Sequence, residues 1–150
     1  MPFITTSDMH SHIYPESIEA ISRGDEDKLT TAINAALREA TPFLSRYNVP
    51  NIWAATEAEK TGIFADLVMA IKDIAKWHFV AVNNAAVDLE LAQVRYEGAL
   101  KALKRIQQAV QTDWPLADAE DSEKLFRAGS RTKFDHWGFT PIVDPDDPFS

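Results

Sequence analysis

The chain has 150 residues, 45% of them apolar and 25% charged, with no cysteine and a formal net charge of -8. That length fits one domain, and the absent cysteines exclude disulfides, thiolate metal sites and cysteine nucleophiles together. The acidic balance argues against a nucleic-acid backbone as the main partner, because such a surface needs a basic stripe.

Residues 8–12, Asp-Met-His-Ser-His, open the chain with an alternation of Asp8, His10 and His12. On a strand these three side chains would share one face, as in the first metal motif of the histidinol-phosphatase-like hydrolases. Thr5-Thr6-Ser7-Asp8 reads instead as a helix N-terminus, and on a helix His10 and His12 point about 200° apart. His78 and His136 are the only other histidines. The sequence therefore predicts a short N-terminal helix with no metal and no cofactor. Tyr14-Pro15 separates it from a second short helical segment reaching Arg23. No apolar run approaches the ~18 residues a membrane span needs, and Met1–Thr6 carries no basic signal-peptide region.

The first long helix is predicted from Asp25, placed to cap it, through Leu29, Ile33, Ala36, Leu37, Ala40, Phe43, Leu44 and Tyr47. Pro42 is expected to kink this helix near Arg38 without ending it, since the apolar stripe continues. Asn48-Val49-Pro50-Asn51 reads as a stop and a loop. Thr56-Glu57-Ala58-Glu59 has capping-box spacing and predicts a second helix running to about Val82. Ile63, Leu67, Ile71, Ile74 and Trp77 line it, and this broad apolar face marks the central helix. Asp88 is placed to cap a third helix, with Leu89, Ala92, Tyr96, Ala99, Leu100, Leu103, Ile106 and Val110 as its stripe, ending at Trp114-Pro115. Asp66, Asp73, Asp88, Glu90 and Glu97 fall on the solvent sides of these helices.

After Trp114 the composition changes: residues 114–150 hold four of the eight prolines and eight acidic residues. The organisation expected is a helical domain over 1–113 and an arm over 114–150, extended or only partly ordered. A chain ending at Asp113 is expected to keep its fold. Phe126, Arg131, Lys133, Phe134, Trp137 and Phe139 in the arm are the candidate assembly contacts, as aromatic residues often anchor interfaces. The fold class is all-α: an antiparallel bundle of three long helices, short N-terminal helices and an extended C-terminal arm. No Gly-x-Ser-x-Gly elbow, phosphate-binding glycine loop or His-Glu-x-x-His helix is present, and the expectation is a protein without enzymatic activity.

Four stretches, taken in order, resemble the Mu-like prophage head–tail connector proteins, the neck or head-completion subunits of tailed phages. They are Phe3–Asp8, a short strand-like lead-in and first helix; residues 37–50, ending in Arg46-Tyr47-x-x-Pro50; residues 95–106, opening Arg95-Tyr96-Glu97; and Ser130–Phe134. Where that family has a glycine after its third helix, this chain has Trp114-Pro115. The resemblance implies a structural subunit of the virion neck, made in the bacterial host cytoplasm and assembling into a homo-oligomeric ring. Its partners would be the portal protein and a tail-completion protein, with no small-molecule substrate, specific nucleic acid or membrane. The alternative is a small bacterial cytoplasmic interaction or regulatory module whose groove binds a partner helix.

Overall fold

The computed structural model describes residues 2–83 and 88–117. These are mostly helical and contain no strand, an all-α arrangement. Its helices are α1 (Pro15–Ser22), α2 (Asp27–Ala40), α3 (Val49–Trp53), α4 (Glu57–Thr61), α5 (Ala65–Val82) and α6 (Leu89–Gln108), with single 3-10 turns at Ser7–Ser11 and Thr41–Leu44. None is long and apolar enough to cross a membrane. Residues 118–150 lie outside the described residues.

Helix α5 is the hub. Leu67, Ile71, Ile74 and Phe79 are fully buried, and α2 and α6 both pack on it. Its apolar periodicity wraps more than one side of the helix, which lets it serve two neighbours at once. Trp77 departs from the expected burial. It is half-buried at the edge of α5, where its ring stacks on Tyr96 of α6 at 5.5 Å between centroids. The N-terminal segment closes one end of the core through Phe3, Ile4, Met9 and Ile13. Phe3 packs against Trp53 at 5.0 Å, and the buried Lys60 ammonium lies 5.7 Å from the Phe3 ring while pairing with Glu57 at 2.7 Å.

Local chemistry sets the helix ends, and some fall elsewhere than the sequence pattern places them. Pro42 ends the α-helical part of the first long segment at Ala40 instead of kinking it. Lacking an N–H and crowding the preceding turn, it tightens the chain into a 3-10 turn, and the stripe continues in that form to the buried Leu44. Asp25 accepts the Asp27 N–H at 3.1 Å, just outside the helix start. Asn48 does not open a loop. Its side chain accepts the Asn51 N–H at 3.2 Å and caps α3, with Pro50 in the first turn.

The Thr56–Glu59 capping box is formed, with Thr56 N–H donating to the Glu59 carboxylate at 2.7 Å. The helix it starts stops at Gly62 rather than reaching Val82. A β-carbon at Gly62 would stand 3.0 Å from the Ala58 carbonyl oxygen, so this break belongs to a residue without one. The chain re-enters helix at Ala65, leaving Phe64 buried and Ile63 43% exposed. Asp88 caps α6 through the Leu91 N–H at 3.2 Å. That helix ends at Gln108, well short of Trp114, and leaves Leu89 and Val110 of its expected stripe exposed.

The compact unit extends to Ala117, four residues past the expected boundary. Trp114 is the reason. It is buried between Tyr47 and Phe64, with centroids 5.1 Å from each, and its indole N–H donates to the Ile63 carbonyl at 2.9 Å. Beyond it, Asn48 N–H donates to Pro115 at 2.8 Å, Ala117 N–H donates to Arg46 at 3.0 Å, and Tyr47 forms an isolated antiparallel bridge with Leu116.

Candidate functional site

Two polar clusters and one cleft meet around α5 and α6. The first cluster clamps residues 11 and 12 onto α5. Lys72 and Lys76 stand one turn apart on that helix; Lys72 Nζ donates to Ser11 Oγ at 3.1 Å and Lys76 Nζ to the His12 carbonyl at 3.1 Å. Between them in sequence, Asp73 Oδ1 faces His12 Nε2 at 3.6 Å and Arg95 of α6 at 3.9 Å. The His12 side chain is 8% exposed and that of Asp73 15% exposed. Neither His12 Nε2 nor Asp73 Oδ1 has a hydrogen-bond partner among the described residues. A separation of 3.6 Å is too long for a hydrogen bond, so this is an electrostatic contact. Burial lowers the His12 pKa below its usual 6.5, against the pull of Asp73; burial likewise raises the Asp73 pKa, against His12, Arg95 and Lys76.

In the second cluster Glu39 of α2 joins the other two long helices. One carboxylate oxygen lies 2.7 Å from His78 Nε2 of α5, and the other accepts the Tyr96 hydroxyl of α6. Donation to a carboxylate, with burial adding to it, raises the Tyr96 pKa to about 12. His78 and Tyr96 also meet edge to face at 6.2 Å. Both clusters bind helix to helix. They hold titratable groups, but the groups are engaged with one another.

The cleft runs between α5 and α6, with a volume of about 520 Å³. Asp66, Met69 and Asp73 line its α5 wall, and Arg95, Gly98 and Arg105 its α6 wall. Gly98 has no local reason to be glycine. A β-carbon there meets nothing within 4 Å, whereas glycine inside a helix costs about 1 kcal/mol relative to alanine. The outer side of α6 is also unusually apolar, with Leu91 51% and Val94 61% exposed, and Met69 across the cleft is 56% exposed.

The Asp8-x-His10-x-His12 alternation is dispersed by the fold. Asp8 Oδ2 accepts from Thr5 N–H at 2.8 Å and from Thr5 Oγ1 at 2.7 Å, fastening the 3-10 turn. His10 is exposed, and His12 faces Asp73. Among the described residues no three His, Asp or Glu are grouped to hold a metal ion. The arm residues Phe126, Arg131, Lys133, Phe134, Trp137 and Phe139 lie outside the described residues. Asp73 corrects its expected solvent placement, because its side chain turns into the contact with His12. Glu39 and Tyr96 carry no spacing signal that marks them as partners, being joined only by tertiary packing. Comparison of the chain with protein-family models, curated proteins and solved structures finds no match.

Proposed function

We propose that the chain is a non-enzymatic structural subunit of a tailed-phage or prophage neck, a head–tail connector that assembles as a ring between the portal protein and a tail-completion protein. The observation that carries this reading is the use made of Arg46-Tyr47-x-x-Pro50, one of the stretches resembling that family. Tyr47 Oη accepts the Gln111 N–H at 2.8 Å and lies 3.3 Å from the Ala109 carbonyl, tying down the end of α6. The same turn pins Pro115 and Ala117. A subunit that reaches its neighbours with a C-terminal arm needs that arm firmly rooted in its bundle. In this reading the helices form a three-helix antiparallel bundle, and Phe126, Phe134, Trp137 and Phe139 anchor in a neighbouring subunit while Arg131 and Lys133 fix register. The protein is made in the host cytoplasm and ends in the virion neck.

The test is electron microscopy of the full chain mixed with the portal protein encoded beside its gene. Rings seated on the portal are expected. A gene with no portal, capsid or tail genes around it, or a chain that never joins the portal, would sink the reading. The cleft between α5 and α6, bordered by the exposed Met69, favours the second reading, an interaction module that takes a partner helix. Capture of one defined cellular partner, lost when the cleft is filled, would favour it over the neck.

A further inference from the structure

The outward row of α6 changes size along its length. Leu91 and Val94 stand at its N-terminal end, Gly98 and Ala102 follow at steps of four residues on the same side of the helix, and the extended Ala109 closes it. The bulky end projects into solvent and the small end borders the cleft. Charge is divided across that cleft, with arginines on the α6 wall and aspartates on the α5 wall. Asp73 lies beside Arg95. At the opposite end the Ile63 carbonyl, just before α5, receives the indole N–H of Trp114, beyond the end of α6.

We infer that two copies of this chain pair about a two-fold axis, each laying α6 antiparallel along the cleft of the other. With Gly98 of one copy set against Ala102 of its mate, Leu91 falls opposite Ala109, just past the end of the mate's α6, so the bulky end of each row lies where the other helix has ended. Arg95 of each copy reaches the Asp66 end of the opposing cleft, and Arg105 reaches the Asp73 end. Size and charge complement themselves under one operation, which is what a two-fold contact requires. Gly98 then has its reason, because it lets two helix backbones approach closely at the axis. The contact is separate from the ring proposed above. A two-fold contact closes at two copies, whereas a ring needs two unlike faces.

Sedimentation equilibrium of the full chain tests this. A monomer–dimer equilibrium in the micromolar range is expected. Gly98→Leu has open space in the monomer, so its circular dichroism and melting should match or exceed the parent, while its dissociation constant rises about tenfold or more. Arg95→Glu should weaken pairing, and Asp66→Arg added to it should restore pairing by exchanging the charges. A parent chain that stays monomeric overturns the inference. So does a dimer that Gly98→Leu leaves intact, since its contact must then lie elsewhere.

Discussion

Tyr47 and Trp114 pack ring against ring at 5.1 Å, joining the turn after the first long helical segment to the chain beyond the last helix. Trp114 is 6% exposed, and the composition change at Trp114-Pro115 therefore does not coincide with the edge of the folded unit. A chain ending at Ala117 should keep its parent stability. One ending at Asp113 loses the buried indole and its bond to Ile63, and should be less stable by about 3–5 kcal/mol, the usual cost of deleting a buried Trp or Phe. Urea denaturation of the two chains distinguishes them. Equal midpoints would mean that Trp114 only rests on the surface of the helical unit.

Ile71 sits at the middle of α5 with no exposed surface. Truncation to alanine removes three carbons from a packed site and should cost about 2–5 kcal/mol in chemical denaturation. Val94, 61% exposed on α6, should change by less than about 0.5 kcal/mol when truncated in the monomer. Comparable losses at both positions would show that the buried and exposed faces of the helices are wrongly assigned.

Periodicity made the all-α class and the central role of α5 legible, because a helix buried on more than one side carries an apolar surplus that few other signals imitate. The Asp88 cap and the Thr56–Glu59 box were legible for a related reason: both are local, and neither waits on tertiary structure. Breaks were harder to place. Pro42 and Gly62 each interrupt a stripe that continues beyond them, and periodicity alone cannot separate a kink from a stop followed by a restart. The polar clusters were not legible. Asp73 shares its helix with exposed acids such as Asp66, and only the docking of the N-terminal segment turns it toward His12.

Tyr96 offers a titration at high pH. Its hydroxyl donates to Glu39, and its pKa rises from 10.0 to about 12. The folded state thus favours the protonated phenol. The stability this gives is whole below pH 10 and is lost as pH rises toward about 12. Tyr96→Phe should cost about 1.5–3 kcal/mol at neutral pH, as expected for losing a hydrogen bond to a charged group. It should also flatten the stability profile above pH 10. A parent profile that already falls no faster than the variant's would remove Tyr96 from that role.

His12 gives the complementary test on the acid side. Burial lowers its folded pKa below 6.5, so the folded state prefers the neutral ring. As pH falls through 6.5, the unfolded chain takes up a proton at His12 that the folded chain does not, and stability must decline. Asp73 acts in the opposite direction at lower pH. Its raised pKa lets the folded carboxyl bind a proton while the unfolded one, near 3.8, is still ionised. His12→Gln removes the titrating ring while keeping polar atoms near Asp73. The parent should therefore lose stability relative to this variant as pH is lowered from neutrality through 6.5, read as a converging pair of denaturation midpoints. Midpoints that stay parallel through that window would show that His12 takes its proton equally well in the folded and unfolded chain, and the clamp on α5 would then be indifferent to acid.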